Sequence, residues 1–357
     1  MTPLAGVIAR RIAATGPITL ADYMAECLLH PEHGYYTTRP VFGRAGDFIT
    51  APEMTQAFGE VLGLALAQAW LDQGAPAAVV LAELGPGRGT LMADVLRAAR
   101  AVPAFRAALR PVLVEASPRL RAVQAERLAG EGVGWADAAD ALPEAPLFVI
   151  ANEFFDALPV RQFTRMPQGW AETVVGLSPG GVPVRGLAPA LPVAALAHRL
   201  ADTVPGDVVE LCPAAAPVMA ALAGRIARHG GAALVIDYGG WRSLGDTVQA
   251  VAAHAPVDPF AQPGLADLTA HVDFEPLAQA AAMAGAVAGP LVGQGVLLER
   301  LGIGLRAARL AAAMSDGQAE NLRSAVTRLT AADGMGTLFK ALPVRPRGAP
   351  PLPGFDA

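Results

Sequence analysis

The segment Ala77-Ala-Val-Val-Leu-Ala-Glu-Leu-Gly-Pro-Gly-Arg-Gly-Thr90, continued by Leu91-Met-Ala-Asp-Val-Leu-Arg97, decides the fold. Its apolar, partly β-branched first half reads as a buried parallel strand, and its glycines read as a tight turn. Leu91, Val95 and Leu96 then mark the inner face of a helix. A strand, a glycine turn and a helix start make a ligand-binding turn. Backbone N–H groups at the helix start attract a carboxylate or a phosphate, and glycines let a ligand approach the main chain without meeting a Cβ.

The spacing of the turn narrows the ligand. Dinucleotide sites use Gly-x-Gly-x-x-Gly with an acid about 20 residues on, whereas Gly85, Gly87 and Gly89 alternate and Thr90 follows. Glu83 at the strand end repels a phosphate and welcomes an ammonium or sulfonium group. Strand-Glu-x-Gly-x-Gly-x-Gly resembles the first motif of S-adenosylmethionine (SAM) methyltransferases. Taken alone, the motif leaves a dinucleotide site and a purely structural turn open.

Downstream, strands and helices alternate. Pro111-Val-Leu-Val-Glu115 reads as a second strand ending in an acid, which in doubly wound folds meets ribose hydroxyls. Glu115 is equally placed to cap the helix from Ser117-Pro118. A third strand is predicted near Val133 to Ala136, followed by Asp137, either an adenine contact or a solvated acid. Pro146 to Ala151 is a fourth, buried strand that ends in Asn152-Glu-Phe-Phe-Asp156. Strand ends of this kind face the ligand crevice, so Asn152, Glu153 and Asp156 become site candidates. Val160 to about Gly186 breaks into short alternating pieces, a β-rich insertion, before a fifth strand, Ala232 to Gly239.

The flanks add helices and two polar loops. Thr19 is placed to cap a helix carrying Leu20, Tyr23, Met24, Cys27 and Leu28. A glycine-punctuated loop with Asp47 and Glu53 precedes a helix whose Phe58, Val61, Leu62, Leu66 and Trp70 face a core. Asp246 to Phe274 reads as a long irregular loop, of the kind usually kept for function. Helices recur from Glu275, Leu338 to Leu342 is a last strand, and the Pro-rich stretch from Pro343 is expected to lack fixed structure. The predicted divisions are an N-terminal helical lid with a site-lining loop (1–75), the first half of a SAM-binding Rossmann-like domain (76–159), an inserted subdomain (160–230), the second half (231–342) and a tail (343–357).

Composition excludes several classes. The 357 residues are 53% hydrophobic, enough for one large core and a subdomain. A net charge of -5 gives no footprint for nucleic acid. Leu277 to Val292 is mostly Ala and is broken by Gly285, Gly289 and Pro290, which argues against a membrane span. Cys27 and Cys212 lack the spacing of a metal site, and His30 and His33 fit a turn before Gly34, so no metal is expected. With no evident presequence, a reducing bacterial cytoplasm is the expected location.

Seven segments together carry a family resemblance. Gly16-Pro-Ile-Thr-Leu-Ala-Asp-Tyr-Met24, Gly46-Asp-Phe-Ile-Thr-Ala-Pro-Glu53, Glu83 to Leu91, Val114-Glu-Ala-Ser-Pro-Arg-Leu120, Ala151 to Val160, Val235-Ile-Asp-Tyr-Gly239 and Ala266 to Phe274 resemble the MidA-type SAM-dependent methyltransferases. Members include a mitochondrial assembly factor that dimethylates an arginine of a respiratory complex I subunit. The resemblance implies a class I methyltransferase fold: an α/β, Rossmann-like doubly wound sheet with an N-terminal helical region and a subdomain inserted between strands four and five. It also implies SAM as cofactor and a complex I subunit as protein substrate. Val251-Ala-Ala-His254 departs from the family in having no basic residue nearby.

On that reading Glu83, Gly85, Gly87, Gly89, Thr90, Glu115, Asp137 and Asn152 hold the cofactor. Glu153, then Asp156, hold and polarise a guanidinium in a bidentate pose. His271 accepts the proton or closes the site, and Tyr23, Asp47 and Glu53 line the substrate or lid. Each has a plainer alternative: Asn152 bonding its turn, Asp156 capping a helix, His271 a satisfied loop histidine. A SAM-binding assembly chaperone without turnover, and a small-molecule methyltransferase, also fit the residues.

Overall fold

The computed structural model describes residues 2–38 and 50–355. The chain divides into two compact units, one of Ile49–Phe155, Ala216–Trp241 and Phe274–Ala357, the other of Met1–Phe48, Asp156–Ala215 and Arg242–Asp273.

The first unit is built on a twisted sheet. Strands β1 (Val79–Leu84), β2 (Leu109–Val114), β3 (Gly134–Ala136), β4 (Leu147–Asn152) and β5 (Gly231–Gly240) run parallel, and β6 (Phe339–Arg345) joins β5 antiparallel. The order across the sheet is β3-β2-β1-β4-β5-β6, closed by Val287–Ala288. Every residue of β1 and β4 is buried. Their unbroken apolar runs follow from cover on both faces, as parallel sheets require. Chain order reverses between β1 and β4, and Leu84 pairs with Ala151 there. The loops after Leu84 and Ala151 therefore leave the sheet side by side, at the switch point where doubly wound folds bind ligands.

Helix Thr90–Ala99 lies behind the glycine turn and packs on helix Gln56–Asp72. The approach is close because Gly59 and Gly63 face it: a Cβ on Gly59 would come 2.6 Å from the Asp94 Cβ, and one on Gly63 3.0 Å from the Val95 Cα. The stretch after Pro343 corrects the expectation of a tail without structure. Strand β6 runs on to Arg345, and Leu352 and Phe355 are 3% and 4% exposed within the core. Apolar residues spaced among prolines can be buried without forming an element, which composition alone does not reveal.

The second unit begins with helices Pro3–Thr15 and Leu20–Leu29. Thr19 caps the latter in a capping box with Asp22, satisfying two N–H groups at the helix start. An antiparallel sheet follows in the order Ile18–Thr19, Gly169–Leu177, Arg161–Met166, Val208–Leu211, with Pro183–Leu187 also paired to Gly169–Leu177. The expected irregular loop from Asp246 instead holds a small sheet, Ala255–Val257, Gln249–Ala252 and Asp267–Thr269. Its hairpin turns on Ala253 and His254, at φ 49° and 61°. Two-residue turns of this kind normally announce themselves through Asn or Gly, and this one does not. No helix among the described residues is long and apolar enough to cross a membrane.

Candidate cofactor and methyl-transfer site

The glycine turn is left-handed three times, with φ of +60° at Gly85, +51° at Gly87 and +77° at Gly89. A side chain at these positions is strained, and at Gly85 a Cβ would also stand 3.0 Å from the Phe154 ring. Gly89 is the N-cap of helix Thr90–Ala99 and provides no side-chain cap; its own N–H donates to the Pro86 carbonyl at 2.7 Å, and the Met92 N–H at the helix start bonds Glu83. Thr90 donates its hydroxyl to Glu53 at 2.5 Å, and Arg88 lies 3.5 Å from the same carboxylate. Glu53 therefore braces the glycine turn. Asp47 lies outside the described residues.

Glu83 is 4% exposed, and burial pushes its carboxyl well above the ordinary range against a weaker opposing hydrogen bond from the Met92 backbone. Its Oε2 has no hydrogen-bond partner, and neither has Oδ1 of Asn152 on the neighbouring strand. Buried acceptors of this kind are rare without a ligand or water to satisfy them. Two orphan oxygens beside a glycine cradle fit a ligand that carries an ammonium group, as SAM does.

Glu115 is half-buried, and burial raises its carboxyl despite bonds from Ser117 N–H at 2.7 Å and Gln124 Nε2 at 3.2 Å. Of the two readings of Glu115, these bonds carry the helix-start acceptor, at the end of β2. Gln124 is fully buried and also donates to the Gly87 carbonyl at 2.8 Å, while Trp135 Nε1 donates to its Oε1 at 2.9 Å. It ties the glycine turn to Glu115 and β3. Sequence reasoning passed over it, although a glutamine between Leu120 and Leu128 on an apolar stripe was a signal. Asp137 is largely exposed and pairs with Arg121 at 2.6 Å, and Arg121 also donates to the Glu115 carbonyl at 2.7 Å.

Glu153 follows β4 with φ 51°, rare for a residue with a side chain. Its Oε1 accepts from Ala51 N–H and from Asn152 Nδ2, each at 3.2 Å, and its own N–H donates to the Ile236 carbonyl at 2.9 Å. The next two N–H groups, of Phe154 and Phe155, donate to Oδ2 of fully buried Asp237 at 3.2 and 3.0 Å. Asp237 thereby holds the turn that presents Glu153, a second residue that sequence reasoning missed, although an acid inside the apolar run of β5 marked it. Non-glycine residues in this conformation persist where surroundings enforce them, commonly at functional sites.

Asp156, His271 and Tyr23 belong to the other unit. Asp156 is 6% exposed, and its carbonyl accepts the Ala270 N–H at 3.0 Å. His271 is half-buried, and its backbone N–H donates to the Thr247 hydroxyl at 2.8 Å. The expectation that Tyr23 lines a lid is corrected: the residue is fully buried against Phe260, and its hydroxyl donates to the Pro259 carbonyl at 2.7 Å. His30 and His33 stack on each other at 5.1 Å, and no metal-binding group of residues occurs among the described ones.

A parallel sheet with this strand order, a glycine turn at its switch point and acids at three strand ends define a class I, SAM-dependent methyltransferase. The sequence pattern of the MidA-type S-adenosyl-L-methionine-dependent methyltransferases matches residues 61–291, and the chain belongs to that family. It is 36% identical over 381 residues to protein arginine methyltransferase NDUFAF7, mitochondrial, of Xenopus tropicalis, covering 97% of this chain and 87% of that protein. The Homo sapiens protein of the same name is 39% identical, over 86% of this chain and 75% of its own. A Burkholderia thailandensis protein solved with S-adenosyl-homocysteine bound superposes with a TM-score of 0.85 at 33% identity, over 99% of this chain and 94% of that one. The expected bacterial cytoplasmic location is corrected, since the curated relatives are named as mitochondrial proteins of animals. Cysteine usage and charge do not separate one reducing compartment from another.

Proposed function

We propose that this methyltransferase acts on an arginine of a protein substrate, a subunit of respiratory complex I, during assembly. The observation that carries the reading is Glu153, a carboxylate held in a left-handed turn at the end of β4 beside Asn152. The relatives named as protein arginine methyltransferases support the same acceptor.

SAM, when bound, would supply an electrophilic methyl carbon on a sulfonium for an acceptor nitrogen, with S-adenosyl-homocysteine as the leaving thioether. The chain's task is to present the nitrogen. A guanidinium has a pKa of roughly 12.5 to 13.8, so removing its proton beforehand at neutral pH costs on the order of 8 kcal/mol. The cation must be bound as such and lose its proton late. A carboxylate does this by taking two N–H groups, which fixes the plane of the guanidinium and draws positive charge toward itself. Bonds from Ala51 and Asn152 fix the direction of the Glu153 carboxylate in advance. Glu83, the glycine turn, Glu115 and Asn152 hold the cofactor, with Glu53 and Gln124 as braces.

The test is transfer of labelled methyl from SAM to complex I subunits taken from cells lacking this protein, followed by mass spectrometry. The expected result is methylarginine on one subunit. Label confined to other residues, or to small molecules, overturns the reading. Restoration of complex I by a Glu153→Gln protein that transfers no methyl would favour the chaperone alternative.

A further inference from the structure

Behind the glycine turn lies a second buried acid that the site has not used. Glu83 stands between Leu113 of β2 and Ile150 of β4, and strand alternation sets Asn152 on the same face as Ile150. Met92 of helix Thr90–Ala99 donates its N–H to the Glu83 carboxyl, and Asp94 follows on that helix. Asp94 is 3% exposed; its Oδ1 accepts from Arg97 at 2.6 Å, and its Oδ2 has no hydrogen-bond partner. Two buried carboxyls, each with an unmade bond, thus belong to one strand–turn–helix unit, close enough for the charge of Asp94 to act on Glu83.

Their surroundings differ in charge. Around Asp94 stand Arg97 of its own helix, Glu60 of helix Gln56–Asp72 and Arg127 of helix Pro118–Arg127, and Arg306 pairs with Glu60 at 2.6 Å. Around Glu83 the flanking strands set apolar Leu113 and Ile150, and among the described residues no cation acts on it. Burial, and after it the charge of Asp94, therefore push the Glu83 carboxyl up against the single bond from Met92. Two like charges without a shared cation are not both kept in a buried site.

We propose that Asp94 acts on the cofactor through Glu83: in the free protein at neutral pH the two carboxyls carry one negative charge between them, and the arriving ammonium of the cofactor ionises Glu83 and releases its proton to solvent. The role rests on the reading of Glu83 as a cofactor residue and extends it. Protonated Glu83 and the ammonium go to a carboxylate–ammonium pair and a free proton, so the ligand brings the counter-charge that the chain omits. Asp94 touches no cofactor atom in this scheme. It is a positioning residue, and its charge sets how far up the pH scale Glu83 keeps its proton. Release of about one proton makes affinity rise about tenfold per pH unit until Glu83 is ionised in the free protein, and level off above.

The test is calorimetric titration of the full chain with S-adenosyl-homocysteine between pH 6 and 8, in PIPES and in imidazole buffer, whose ionisation enthalpies count the protons released. The wild type is expected to release about one proton at the acid end, with affinity rising as above. Methylthioadenosine, which keeps the adenosine and the thioether but has no ammonium, should release none. Glu83→Gln should release none and bind S-adenosyl-homocysteine at least tenfold more weakly. Asp94→Asn should move both the proton release and the affinity rise to lower pH, which loosened packing alone would not do. No release by the wild type, release that persists in Glu83→Gln, or a profile unmoved by Asp94→Asn overturns the proposal. If Glu83→Gln does not fold, methylthioadenosine decides in its place, and proton release on its binding is the overturning result. Weaker binding by Glu83→Gln without proton release by the wild type leaves Glu83 a cofactor residue and the shared charge refuted. Undiminished binding by Glu83→Gln refutes the cofactor reading of Glu83 itself.

Discussion

The backbone turns left-handed at the glycine turn after β1 and again at the Ala253-His254 hairpin, and the two places solve the same problem in opposite ways. At Gly85, Gly87 and Gly89 the chain gives up side chains altogether. At Ala253 and His254 it keeps them and carries the strain, roughly 1–2 kcal/mol per residue. The difference lies in what must come close. A ligand approaching main-chain N–H groups cannot tolerate a Cβ, whereas a hairpin tip that only reverses the chain can. Glu153 is a further case, a left-handed residue that keeps its side chain at the end of β4.

The sharpest way to break that contrast is to remove only the charge of Glu153. Glu153→Gln is expected to lower turnover at least 100-fold, with S-adenosyl-homocysteine affinity within about twofold by calorimetry. An undiminished rate would reduce its backbone conformation to a local oddity. Next in size, Gly85→Val combines a strained φ with a clash on Phe154, and should weaken cofactor binding by about 100-fold in the same titration. Binding within threefold of the wild type would mean that the glycines serve only the turn.

A smaller effect concerns the helix behind the turn. Burial pushes the Asp94 carboxyl up from an ordinary 3.8 to about 6, against the attraction of Arg97. The folded state therefore holds a proton that the unfolded chain releases earlier, and stability falls as pH rises from 3.8 to about 6. Asp94→Asn should flatten urea-unfolding stability across that window and leave the protein more stable at neutral pH. An unchanged slope would assign the ionisation elsewhere. The smallest expected change has the opposite sign: Ala253→Asn with His254→Gly should stabilise the protein by about 1–2 kcal/mol in the same assay and leave methyl transfer unchanged. A loss of activity instead would show that the hairpin tip is more than a turn.

The same contrast explains what could be read in the sequence. Strands β1, β4 and β5 and the turn after Leu84 were legible because buried parallel strands are continuous apolar runs and a ligand turn concentrates its glycines. The Ala253-His254 hairpin was not, because its conformation is imposed by the paired strands and leaves no mark in residue type. Leu352 and Phe355 were hidden by the prolines around them. The positions of Glu83, Glu115, Asn152 and Glu153 at the ends of their strands followed from topology. Gln124 and Asp237 hold their neighbours in place through bonds to distant backbone atoms, and only the folded chain shows which ones. Tyr23 was misassigned because a tyrosine on an amphipathic helix has the same spacing whether its hydroxyl meets a ligand or, as here, a backbone carbonyl.

Strand β6 has a consequence for the order of synthesis. The glycine turn and both strands that flank its switch point are translated early, yet the edge of β5 from Ala233 to Tyr238 stays uncovered until Phe339–Arg345 has left the ribosome. An apolar strand with an open edge is a target for mispairing. The nascent chain therefore passes through a long interval in which its ligand-binding elements exist and its sheet is incomplete, and a chaperone has most to do in that interval.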